Sequence, residues 1–216
     1  MVTYATIFLS SFVIALSGAL MPGPLLTATL GESARRGFWA GPLLILGHGI
    51  LEAALLAALL LGLAPFLRQE GIFAVIALSG AVILLVMALG MFRSLPTLSL
   101  AWSGETAAPG YLIVSGVLMS VANPYWSVWW ATIGLGYVLY CWKFGLLGIV
   151  LFFAGHILGD LFWYSLVSAA VTKGRRFLTD RLYRGLIGGC ATLLVLFACF
   201  FFYTGLQKAG MLSVSW

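Results

Sequence analysis

Two short strings in this 216-residue chain place the same chemistry twice: His48 and Glu52 in GHGILE, and His156 and Asp160 in GHILGD. In each, an imidazole and a carboxylate stand four residues apart, the spacing that puts both on one face of an α-helix. Such a pair can pass a proton, hold a cation or fix a hydrogen bond. Both strings lie deep in apolar sequence. Counted from positions 39 and 144, Glu52 and Asp160 fall about 20 and about 24 Å along their helices, near mid-bilayer. An ionisable group there costs at least about 2.5–3.5 kcal/mol and normally faces the bundle interior with a partner. The remaining acids, Glu32, Glu70, Glu105 and Asp180, sit in or beside expected loops. His48, Glu52, His156 and Asp160 are therefore the expected proton-coupling residues. The plain alternative is a neutral acid bonded to histidine to fix packing.

The elements that position these residues must be membrane helices. The chain is 62% hydrophobic and 8% charged, with a mean hydropathy of +1.11. A soluble domain carries about 25% charged residues, so this composition excludes a water-facing surface. Six stretches reach the roughly 20 apolar residues that span a bilayer: 4–30, 39–63, 72–92, 111–140, 144–171 and 186–207. The N-terminus lacks the positive region of a signal peptide, so its apolar run is expected to be a retained helix. A polar connection with Pro96 and Pro109 splits the chain into a three-helix repeat over 1–93, a cytoplasmic linker over 94–109 and a second repeat over 110–216. The predicted fold is an all-α membrane protein of six transmembrane helices forming one compact membrane domain.

Basic residues set the orientation. Arg35, Arg36, Arg93, Lys173, Arg175, Arg176, Arg181 and Arg184 fall on one side, against Arg68, Lys143 and Lys208 on the other. The positive-inside rule then puts the first, third and fifth loops in the cytoplasm and both termini outside. The net charge of +5 is explained by this asymmetry, and no nucleic-acid partner is expected. Three helices used twice must point opposite ways, so the two histidine–acid strings mark an inverted repeat.

Proline supplies a second echo. MPGP interrupts the first span and Asn123-Pro124 the fourth. Pro22 and Pro24 have no amide hydrogen, which frees the carbonyls of Gly18 and Leu20, and Pro124 frees that of Ser120. Gly23-Pro24 and Asn123-Pro124 each read as a cap followed by proline at the first helical position. Each break thus starts a half-helix whose positive end points into the membrane, a setting for a carboxylate. A simple kink is the alternative. Just after the second break, Tyr125, Trp126, Trp129 and Trp130 suit either a cavity wall or, on balance, an interfacial belt. Thr27, Ser127 and Thr132 offer pore-lining hydroxyls or bonds to their own backbone. The expected substrate-binding set is Pro22, Gly23, Pro24, Thr27, Asn123, Pro124, Tyr125 and Trp126.

With MPGP, the ESARRG that follows it and the NP of the fourth helix, the chain resembles the lysine exporter (LysE/RhtB) family of bacterial amino-acid exporters over nearly its whole length. The resemblance implies secondary-active export of amino acids or their derivatives across the inner membrane, driven by a proton or other ion gradient, with no enzymatic activity. Tyr125 departs from the lysine often found after that NP. The expected partners are an amino-acid substrate and lipid, with a homodimer allowed. No cofactor and no metal are expected. The rival readings are a divalent metal-ion transporter built on His48, Glu52, His156 and Asp160, and a membrane thiol oxidoreductase. Against the first, no cysteine or methionine ligand lies near in sequence, and half-helix N-termini suit a cation poorly. Against the second, Cys141, Cys190 and Cys199 form no pair beside a break.

Overall fold

The computed structural model describes residues 4–63, 69–98, 108–174 and 179–211, and all regular structure among them is helical. Arg68, Glu105, Arg175 and Arg176, used above for charge and orientation, lie outside the described residues. The helices are α1 (Tyr4–Ala19), α2 (Pro24–Arg36), α3 (Ala40–Ala58), α4 (Glu70–Ser94), α5 (Pro109–Val121), α6 (Pro124–Trp129), α7 (Leu135–Trp142), α8 (Gly145–Gly174) and α9 (Asp180–Lys208). A segment over Leu59–Leu63 that kinks at Gly62 (φ 110°) follows α3, and a π-helical turn over Trp130–Gly134 joins α6 to α7. Four helices are long and apolar enough to cross a membrane alone. The α1–α2 pair bends by 83° and the α5–α6/α7 pair by 65°, and counting each as one broken span gives six.

The breaks fall at the prolines, but the backbone is not left open there. Met21 N–H donates to the Gly18 carbonyl and Asn123 N–H to the Ser120 carbonyl, both at 3.1 Å. A tightened turn therefore replaces the bond that proline removes, for two of the three carbonyls expected to be freed.

Each histidine-bearing helix packs on the first helix of the opposite half. Glycine makes both contacts close: a Cβ on Gly47 or Gly116 would run into the backbone of Ile113 or Leu44 across the α3–α5 crossing. At the α8–α1 crossing, a Cβ on Gly155 would strike the Phe8 carbonyl, and one on Gly159 would lie 2.7 Å from that of Phe12. The glycine of each Gly-His string is thus what lets its neighbour, histidine, enter a dense interior.

The peripheral pair α4 and α9 packs through Ala77, Ala81, Ala88 and Ala198 around Leu84, Leu194 and Phe201. At one end of this pair Lys208 Nζ donates to Glu70 at 2.7 Å, and at the other Arg184 Nε donates to the Leu98 carbonyl at 2.7 Å. Glu32, expected at a loop, lies within α2 and pairs with Arg36, whose guanidinium sits 5.6 Å from the Tyr111 ring centre. Cys141 is fully buried and Cys199 exposed on the outer face of α9.

Candidate functional site

The two histidine–acid strings meet. The crossing of α3 and α8 brings His48, Glu52, His156 and Asp160 together, with one ligand-type atom of each within 4.8 Å of all the others. Their contacts close a ring. His48 Nε2 lies 3.0 Å from Glu52 Oε1, and His156 Nε2 lies 3.0 Å from Glu52 Oε2. Asp160 Oδ2 stands 3.4 Å from both imidazole Nε2 atoms. All four side chains are buried, Glu52 the most deeply at 1% exposure.

Around this ring the second half supplies the walls. Trp126 and Trp130, one turn apart on α6 and its π turn, both donate their indole N–H to Glu52 Oε1, at 3.0 and 2.7 Å. That oxygen accepts twice, so a proton on this carboxyl would sit on Oε2. The interfacial-belt reading of these two tryptophans is therefore wrong: they hold an acid in the interior. Trp129 instead donates to Ser17 Oγ at 3.1 Å and lays its ring 4.8 Å from that of His156. Consecutive indoles fit here because Gly134 has no side chain, since a Cβ would come within 2.8 Å of Trp130 and 2.9 Å of Trp129.

His48 is oriented from behind. Its Nδ1 is 2.7 Å from Ser120 Oγ, whose hydroxyl donates to the Gly116 carbonyl at 2.7 Å. Which atom donates in the His48–Ser120 bond depends on the imidazole tautomer, and Nε2 is the ring atom that faces the acids. No such partner holds His156: both its ring nitrogens, Glu52 Oε2 and Asp160 Oδ2 are buried without a hydrogen bond. The 3.0 Å approach of His156 to Glu52 is off the line a hydrogen bond requires.

A cavity of about 50 Å³ joins the ring to both helix breaks, lined by Gly23, Asn123, Tyr125 and Trp126 together with the four ring residues. Of the expected substrate-binding set, these four reach it. Pro24 is fully buried, Pro124 packs on Gly80 of α4, and Thr27 Oγ1 donates to its own helix at the Gly23 carbonyl, 3.1 Å away. Pro22 is half-buried in the turn between α1 and α2. Thr132 likewise bonds its own helix, at the Val128 carbonyl. Ser120 and Tyr164, which also line the cavity, were not singled out by sequence. Ser120 stands three residues before Asn123, whose N–H its carbonyl accepts, and the proline four residues on is the one signal that pointed to it.

The chain is 24% identical over 206 residues to a Bacillus subtilis (strain 168) protein named "Putative amino acid efflux protein YcgF", covering 94% of this chain and 98% of that one. No solved structure matches. The model of the LysE type translocator family matches residues 16–205, which takes in both breaks and all four ring residues, and the chain belongs to that family.

Proposed function

We propose that this protein is a secondary-active exporter that carries amino acids or amino-acid derivatives out of the cytoplasm by alternating access between two inverted halves. The observation that carries the reading is the cavity itself: it joins a half-helix N-terminus at Gly23–Leu25 to two buried carboxylates. A zwitterion has a matching pair of ends. Its carboxylate meets the amides that open α2, where the macrodipole favours negative charge, and its ammonium meets Glu52 or Asp160. The efflux named for the similar protein supports the same substrate class. A volume of about 50 Å³ admits a few water-sized groups, so a whole amino acid enters only when the surrounding helices part. That supports a cycle with more than one arrangement.

An inward cation gradient, protons in the sequence reading, drives the export. The ring of His48, Glu52, His156 and Asp160 is where an entering cation finds two carboxylates inside the membrane. The test is efflux of radiolabelled amino acids from proteoliposomes with an imposed gradient. At least one amino acid should leave faster than from protein-free liposomes, and collapsing the gradient should stop net efflux. A full amino-acid screen at the background rate would sink the reading.

A further inference from the structure

We infer that His48, Glu52, His156 and Asp160 form a binding site for one divalent first-row transition-metal ion. Three independent features of the ring lead there.

The first is a set of unpartnered atoms. His156 Nε2, Glu52 Oε2 and Asp160 Oδ2 are buried and lack hydrogen bonds, although they stand only 3.0 and 3.4 Å apart. Buried polar atoms without partners call for one, and a single ion among them would supply it. The second is size. Metal–ligand distances of about 2.0–2.2 Å give ligand–ligand edges of about 3.3–3.6 Å in a tetrahedron and about 2.8–3.1 Å between neighbours in an octahedron. The ring contacts are 3.0 Å through each of the two Glu52 oxygens and 3.4 Å through Asp160, and one ligand atom of each residue lies within 4.8 Å of the others, so the side chains draw in slightly to enclose one ion.

The third is the support of His48. Its Nδ1 lies 2.7 Å from Ser120 Oγ, with Nε2 turned toward carboxylate oxygens at 3.0 and 3.4 Å. A hydrogen-bonded outer nitrogen is the usual support of a metal-bound imidazole. Two ionised carboxylates and two neutral imidazoles carry a charge of −2, which one divalent ion cancels inside the membrane.

Two nitrogens and carboxylate oxygens form a borderline donor set. It suits Zn²⁺, Co²⁺, Ni²⁺ or Mn²⁺ over Ca²⁺ and Mg²⁺, which prefer oxygen alone, and over soft ions that prefer sulfur. The lack of cysteine ligands therefore narrows the choice of ion without arguing against metal. The second half-helix is no obstacle either, because Asn123 already engages its first amides.

The inference concerns the ring that the exporter reading also uses, where a bound ion takes the carboxylates in place of an ammonium or a coupling proton, and it is tested without a transport assay. Purified full-length protein, stripped with chelator, is titrated with Co²⁺ and then Zn²⁺. One Co²⁺ per chain should bind, with visible absorption bands set by nitrogen and oxygen ligands. Zn²⁺ should displace it, and Ca²⁺ and Mg²⁺ should not. His156→Ala and Asp160→Asn should abolish stoichiometric binding while keeping helical circular dichroism and a single elution peak. Should either fail to fold, Ser120→Ala leaves all four ligands in place and should weaken binding about 10- to 100-fold by releasing His48. No saturable Co²⁺ or Zn²⁺ binding by wild type, or unchanged affinity in all three variants, overturns the inference. Either result leaves the exporter reading to stand or fall on the efflux screen.

Discussion

The breaks before α2 and α6 carry matching prolines, yet they manage the exposed helix end in different ways. Before α6, Asn123 caps the turn: its Oδ1 accepts from Tyr125 N–H and its carbonyl from Trp126 N–H, both at 3.1 Å. Before α2, the cap is Gly23, which has no side chain to offer and sits in extended backbone. Glycine is also what fits, because a Cβ there would lie 3.1 Å from Asn123 Nδ2. One break is therefore sealed by its own residue and the other is left available. The sealed one does something else: it starts the helix that carries Trp126 and Trp130 to Glu52. Matched sequence features in two halves of a chain need not do matched jobs. Here one half offers an open terminus, and the other offers the donors that hold the first half's acid.

The largest effect should come from the acid on which both halves converge. Glu52→Gln keeps the shape but removes the charge that two indoles and two imidazoles face. A charge-assisted bond is worth about 1.5–3 kcal/mol, or about 10- to 150-fold, and several are lost together. Initial efflux from proteoliposomes should fall at least about 100-fold, and Asp160→Asn, with no indole donors, should fall less. Equal losses would mean that the tryptophans do not distinguish the two acids. Next, Gly23→Ala places a methyl group against Asn123 at the available break. Efflux should drop about tenfold through a raised half-saturation concentration, with little change in thermal stability. A loss of stability with unchanged substrate affinity would make Gly23 a packing residue only. Trp126→Phe removes one of two N–H donors to Glu52 Oε1 and leaves the Trp130 bond of 2.7 Å. At the lower end of the charge-assisted range, about 1.5 kcal/mol because Trp130 still holds the same oxygen, efflux should fall about tenfold and Trp126→Phe/Trp130→Phe considerably further.

Much of this was legible in the chain before any coordinates. Hydropathy marked the spans, because lipid demands apolar length. Proline marked the breaks, because it lacks a donor. The four-residue spacing marked each histidine–acid pair, because both partners share one helix. What stayed hidden was tertiary. No local pattern says that α3 and α8 cross where the two pairs can merge, so only the rival metal reading joined them in one site. The glycines of the Gly-His strings held a clue, since glycine beside a buried polar residue allows a close crossing, but not which helix crosses. The weighting of Trp126 and Trp130 toward an interfacial belt failed for the same reason, although Trp126 was also in the expected binding set. A tryptophan near a helix end favours the interface on average, and only the position of Glu52 across the cavity shows what the N–H groups reach.

The smallest expected effect tests the sealed break alone. Asn123→Ala removes the Oδ1 that accepts from Tyr125 N–H and leaves the backbone bond from Trp126 in place. An asparagine cap replaced by alanine costs about 1 kcal/mol, and the exposed Tyr125 amide then faces the cavity that Asn123 helps to line. Two consequences follow, and they separate the roles. Melting in detergent should shift down by a few degrees, as expected for about 1 kcal/mol in a chain of this size. Efflux should stay within about threefold of wild type if, as proposed, α2 holds the carboxylate end of the substrate. Asn123→Asp, which keeps an acceptor for the Tyr125 amide, should restore the melting temperature. If Asn123→Ala instead cost as much efflux as Gly23→Ala, with no change in melting, the substrate would be reading both breaks alike, and the asymmetry between them would be a difference in wording without a difference in function.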